Sequence, residues 1–83
     1  MAILLTLYST SHCHLCEQAE AILQKMCLQN TVKYVVVEIA DNATLVEQYA
    51  LKIPVLKRSD TNNELSWPFT DIDIAQLITN SQI

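Results

Sequence analysis

Tyr8-Ser9-Thr10-Ser11-His12-Cys13-His14-Leu15-Cys16 decides how this chain is read. A largely apolar run, Ile3 to Leu7, leads into it, and a segment with helical periodicity leaves it. A Cys-x-x-Cys pair where a strand hands over to a helix suits two chemistries. It exchanges electrons as a thiol–disulfide couple, or it holds a soft metal ion.

Outward from the motif, Ala2 to Tyr8 reads as a strand, and its apolar run predicts burial on both faces. Ser9 to His12 is a polar loop. From Cys13 on, Leu15, Cys16, Ala19, Ile22, Leu23, Met26 and Cys27 recur at steps of three and four. They predict an amphipathic helix to about Leu28, stopped at Gln29-Asn30. Thr31 to Ile39 is rich in β-branched residues and reads as a second strand. Asp41 or Asn42 can cap a short helix that turns Leu45, Val46 and Tyr49 inward.

Lys52-Ile53-Pro54 breaks that pattern, and Val55 to Arg58 follows as a third strand. Ser59 to Asn63 is a turn. With no glycine in the chain, a left-handed position there falls most cheaply on Asp60, Asn62 or Asn63. Glu64 to Trp67 returns as a fourth strand, ended by Pro68. Thr70 with Asp73 has the form of a capping box, and Phe69 can staple onto Ile74. Ile74, Leu77 and Ile78 then face the core. The order is βαβαββα, an α/β fold whose mixed four-stranded sheet carries helices on both faces.

Composition narrows the function. The 83 residues make one domain, 1–83, burying roughly 60–65% of the surface of the unfolded chain. The net charge is −4 and the five basic residues form no run beyond Lys57-Arg58, which argues against nucleic acid or an anionic membrane as partner. Three cysteines make a poor framework for a secreted module. The apolar start lacks a charged region before it and is too short to span a bilayer. A cytoplasmic monomer is expected.

The strand ending at Tyr8, Cys13-x-x-Cys16 opening a helix, and Ile53-Pro54-Val55 before a hairpin resemble the glutaredoxins of the thioredoxin superfamily. The chain is most similar to small bacterial glutaredoxin-like domains of unassigned function, in which Cys-His-Leu-Cys and a late Trp-Pro-Phe (here Trp67-Pro68-Phe69) recur. The likeness spans nearly the whole chain and implies a thioredoxin-like fold. It also implies a thiol–disulfide oxidoreductase with Cys13 as nucleophile and Cys16 as resolving cysteine. A cis Ile53–Pro54 bond would face the pair, with the Ile53 backbone meeting the substrate's extended chain. No bound cofactor is expected. A protein or glutathione mixed disulfide is the expected substrate, and glutathione is a candidate reductant.

The residues themselves support the redox reading. At the N-cap, Cys13 would meet free backbone N–H groups and the positive end of the helix dipole, both of which favour thiolate. Cys16, about one turn on, would resolve the mixed disulfide. His12 and His14 would stabilise the thiolate only if protonated; as solvated flanking residues they are assigned no catalytic role. Cys27 lies eleven residues beyond Cys16, about 16 Å along the helix, and reads as a core cysteine.

The alternative is a non-catalytic module that binds a protein partner or soft metal through the CxxC. Neighbouring residues in His12-Cys13-His14-x-Cys16 cannot all face one ion, and no second ligand pair follows. A copper chaperone has the order βαββαβ, and a c-type haem site needs histidine where Glu17 stands. Two departures from glutaredoxins stand out. Thr10 occupies the region of their lysine, and Ser66-Trp67-Pro68-Phe69 replaces their Gly-Gly-x-Asp segment.

Overall fold

The computed structural model describes residues 3–29 and 32–79. Their order is β1 (Ile3–Ser9), α1 (His14–Gln29), β2 (Val32–Glu38), a 3₁₀ turn (Ile39–Asp41), α2 (Ala43–Tyr49), β3 (Val55–Arg58), β4 (Glu64–Ser66) and α3 (Asp71–Thr79). The expected starts and stops at Ala2, Asn30 and Thr31 lie outside the described residues.

One sheet runs β2-β1-β3-β4. β1 and β2 are parallel from Ile3↔Val32 to Ser9↔Glu38, joined through α1 as the strand–helix–strand pattern requires. β3 lies antiparallel on the other side of β1, with Leu5↔Arg58 and Tyr8↔Val55, and β4 closes the hairpin with Val55↔Ser66. This is the anticipated mixed α/β sheet.

The register sorts the core into two layers. Leu5, Leu7 and Leu56 point to one face and pack with Ala19, Leu23 and Met26 of α1 and Ile74 and Leu77 of α3. Each fully buried leucine there contributes about 1.5–3 kcal/mol through removal from water. On the other face Val55 packs with Ile39 and Tyr49, flanked by Tyr8, Leu45 and Ile53.

That second layer is thinner than the apolar run of β1 predicts. The helix over it, α2, has only seven residues, so Leu4 remains 43% exposed, and Val35 of β2, which pairs with Thr6 on the same face, is exposed as well. Within β1 only Leu5 and Leu7, on one face, are therefore fully buried. For the same reason Val46 is exposed rather than inward, while Tyr49 is buried and Leu45 partly so.

Local rules set the ends of the elements. Asn42 caps α2, its side chain accepting the N–H groups of Thr44 and Leu45 at 2.9 and 3.2 Å. Thr70 and Asp73 form the capping box of α3: Asp73 accepts the Thr70 N–H at 2.8 Å, and Thr70 Oγ1 accepts the Asp73 N–H at 3.3 Å. Asn62 takes the left-handed position of the β3–β4 turn, at φ 63°. Three strand ends differ from expectation. β1 runs on through Ser9, one residue past Tyr8. β2 ends at Glu38 because Ile39 opens the 3₁₀ turn, and β4 ends at Ser66.

Candidate functional site

β1 delivers the chain to the N-terminus of α1 through Thr10–Cys13. Glu38, the last residue of β2, holds this loop: one carboxylate oxygen accepts both the N–H and the hydroxyl of Ser11, each at 2.9 Å. The other oxygen accepts the Ala40 N–H at 3.1 Å. These bonds, with the Thr10 hydroxyl, favour the ionised form and hold the Glu38 carboxyl below its ordinary range, the Ala40 N–H having the largest effect. His12 turns the loop in the left-handed region at φ 60°. Without glycine the chain places a histidine there, at a cost of about 1 kcal/mol.

The turn brings Cys13 to the N-cap of α1. Its Sγ accepts the Cys16 N–H at 3.1 Å, and its carbonyl accepts the Glu17 N–H at 3.1 Å. The Cys13 and Cys16 sulfurs lie within bonding distance, with Cα atoms 5.2 Å apart. Cys16 is buried, whereas Leu15 between them, expected on the apolar face, is 44% exposed.

A cleft of about 500 Å³ opens at the pair, lined by Ser9 through Cys13 with Cys16, Glu17 and Glu20. Both histidines flank the pair: His12 lines the cleft, and His14 lies 3.9 Å from Glu17 on the exposed side of α1. Among the described residues, no group of three or more His, Cys, Asp or Glu stands in position to hold a metal ion. A second cleft of about 610 Å³ between β4 and α3 is lined by Asn63, Glu64, Leu65, Asp73, Gln76, Leu77 and Thr79, without a cysteine, histidine, lysine or arginine.

Ile53 and Pro54 enter β3 at the same end of the sheet, since Tyr8 pairs with Val55. The Ile53–Pro54 bond is cis, and so is Trp67–Pro68, which Pro68 read as a strand end did not anticipate. The Ile53 N–H donates to the Tyr49 carbonyl at 3.0 Å. Trp67 packs against the core, edge-to-face on Phe69 at 5.1 Å, and does not line the cleft at the cysteines.

Cys27 is half-buried against the core, and burial pushes its thiol up from the ordinary value. Two residues important to this architecture gave no signal of their own in the sequence. They are Glu38, which holds the loop, and Arg58, buried beneath α3.

The family model for the Glutaredoxin-like domain (DUF836) matches residues 4–79. The chain belongs to this family. Among solved structures, this glutaredoxin-like domain is similar to the X-ray structure of protein XcR50 from X. campestris. The two are 33% identical with a TM-score of 0.79, over 94% of this chain and 99% of that one. It is also similar to the solution structure of Ne2328 from Nitrosomonas europaea, at 26% identity and a TM-score of 0.78, over 90% and 89% of the two chains. Trichomonas vaginalis thioredoxin shares the fold at 19% identity and a TM-score of 0.55, over 94% of this chain and 75% of that one. No match was found among curated proteins. The glutaredoxin-like domain is thus a thioredoxin-fold protein carrying its Cys13–Cys16 pair at the start of α1.

Proposed function

We propose that this domain is a dithiol–disulfide oxidoreductase. The observation that carries the reading is the cysteine pair itself: sulfurs within bonding distance at a helix N-terminus, with the Cys16 N–H on Cys13 Sγ. That hydrogen bond and the helix dipole favour a thiolate at Cys13 once the pair is reduced.

The Cys13 thiolate attacks a substrate disulfide, forming a mixed disulfide and releasing one substrate thiolate. Cys16 then gives up its proton and attacks Cys13 Sγ. The second substrate thiol leaves, and the Cys13–Cys16 disulfide remains. Two electrons pass from the protein to the substrate. An external thiol, glutathione or a dithiol, returns them and closes the cycle. Cys16 is the buried partner, consistent with a resolving rather than an attacking role. The Ile53 carbonyl beside Pro54 is the group offered to the substrate backbone.

The odd cysteine count and the unpaired, half-buried Cys27 favour a reducing compartment. Among the described residues no helix is long and apolar enough to cross a membrane. We place the domain in the cytoplasm, as a monomer that meets its disulfide partner transiently.

The test is insulin reduction with dithiothreitol, together with reduction of a glutathione mixed disulfide, for wild type, Cys13→Ser and Cys16→Ser. Cys13→Ser should abolish turnover. Cys16→Ser should accumulate a mixed disulfide at Cys13 with insulin. A Cys13→Ser protein as active as wild type would refute the proposal.

A further inference from the structure

The cleft at the cysteine pair offers an anion no permanently charged cation, its hydroxyl residues and His12 being the polar groups beside the carboxylates. Its lining contains two carboxylates, Glu17 and Glu20, and neither lysine nor arginine. Glu17 stands four residues beyond Cys13 and Glu20 four beyond Cys16, so both stack over the cysteines on one face of α1. A helix N-terminus can substitute for a cationic side chain, but at both nearby ones N–H groups are already engaged from within the chain. The Cys16 N–H is bonded to Cys13 Sγ. At α3 the N–H groups of Thr70, Ile72 and Asp73 are bonded to Asp73, Asp71 and Thr70. That helix begins close to Trp67, whose N–H donates to the Pro54 carbonyl at 3.2 Å, and carries Asp71 and Asp73 in its first turn.

Resting on the oxidoreductase reading above, we infer that the disulfide partner is a neutral or cationic polypeptide segment, and that Glu17 and Glu20 select it over anionic disulfides such as oxidised glutathione. An incoming glutathione disulfide carries several carboxylates toward those of Glu17 and Glu20. A lysine- or arginine-flanked cystine in a polypeptide meets the opposite sign. Its extended backbone also finds the Ile53 carbonyl as an acceptor. The reaction is the two-step exchange already written; the charge acts on encounter with Cys13 rather than on bond exchange.

The experiment uses pre-reduced protein and four disulfides: oxidised glutathione, and symmetrical cystine peptides of one frame flanked by lysine, serine or glutamate. Quenched samples are read by mass spectrometry for the Cys13–Cys16 disulfide. Each rate constant is divided by that of free dithiothreitol with the same disulfide, which removes the effect of the leaving thiol. At low salt the lysine peptide should react on the order of tenfold faster than the glutamate peptide and oxidised glutathione. At 0.5 M salt, where the screening length falls to about 4 Å, most of that ratio should disappear.

Glu17→Lys, and separately Glu20→Gln, which keeps an acceptor for the Tyr34 hydroxyl bonded to Glu20 at 3.0 Å, should each move the ratio toward the anionic substrates. Equal rates for the lysine and glutamate peptides at low salt would overturn the inference, as would a ratio unmoved by either substitution. Reaction with none of the four would overturn the oxidoreductase reading itself, a result distinct from reaction without charge preference.

Discussion

Glu38 grips Ser11 through both of its donors, N–H and hydroxyl, each at 2.9 Å across 27 positions of sequence. The bond ties the end of β2 to the loop that presents Cys13, and the same carboxylate caps the 3₁₀ turn through Ala40. One side chain thus fixes two backbone segments next to the disulfide.

Glu38→Gln replaces an acceptor oxygen with a donor nitrogen, so the Ser11 bonds and the Ala40 bond cannot all survive. The variant should be less stable than wild type at pH 7. Because the folded pKa of Glu38 lies below its unfolded value, its contribution is present above about pH 4.3 and is lost as pH falls through the folded value. Urea midpoints should therefore differ at pH 7 and converge near pH 3. Asp60, held low by the Arg58 guanidinium, titrates over the same acid range in both proteins and leaves the difference intact. A gap as wide at pH 3 as at pH 7 would show that the charge of Glu38 is not what holds the loop.

The reduced protein should alkylate in a fixed order. Cys13 sits at a helix N-terminus with an N–H on its sulfur, so its thiol should titrate below the ordinary ~8.5. Cys16 is buried, and burial raises the thiol of Cys27. Iodoacetamide at pH 7, followed by peptide mapping, should label Cys13 first, ahead of both Cys16 and Cys27. Thiolate absorbance of Cys16→Ser against pH gives the Cys13 value directly. A midpoint at or above ~8.5 contradicts the N-cap argument.

What the sequence made legible was local or periodic. The capping box of Thr70 and Asp73, the left-handed Asn62 and the Cys13 N-cap each depend on residues a few positions apart, where pattern and structure obey the same rule. The overreadings share one cause. Leu15, Val46 and Leu4 continue apolar patterns correctly, but burial needs a partner. A seven-residue α2 and a four-stranded sheet leave them uncovered. What stayed illegible was long-range. Glu38 meets Ser11 only because β1 and β2 are in register at Ser9↔Glu38. Arg58 reads only as the last residue of a strand until its pairing with Leu5 places it under α3.

Arg58 is 8% exposed, and its guanidinium donates to the carbonyls of Leu77 and Ile78 at 2.9 and 2.8 Å while pairing with Asp60 at 2.6 Å. These carbonyls belong to the last turn of α3, where no intrahelical donor remains. Arg58→Leu keeps an apolar stem but leaves the carbonyls without that donor. It should cost about 2–3 kcal/mol, and thus roughly 8–24 °C in Tm for a domain of this size. Circular dichroism melts would measure it. A loss under about 0.5 kcal/mol, the range of ordinary surface substitutions, would mean water serves these carbonyls equally well.

Tyr49 connects the thin layer to the residue before Pro54. Its ring stacks on Tyr8 at 4.4 Å, and its hydroxyl donates to Glu64 at 2.6 Å, which with burial raises its pKa. Its carbonyl accepts the N–H groups of Lys52 and Ile53 at 2.8 and 3.0 Å, so the position of α2 sets that of Ile53. Tyr49→Phe removes only the hydroxyl bond and should cost about 1 kcal/mol, with turnover retained. Tyr49→Ala removes the ring from a layer with few other buried residues. It should cost about 3–4 kcal/mol and raise the KM for insulin more than it lowers kcat, because Cys13 and Cys16 are untouched while the Ile53 carbonyl shifts. Unfolding curves and insulin kinetics on both variants separate the two effects. A Tyr49→Ala protein that loses stability but keeps its KM would show that the Ile53 segment is positioned without α2.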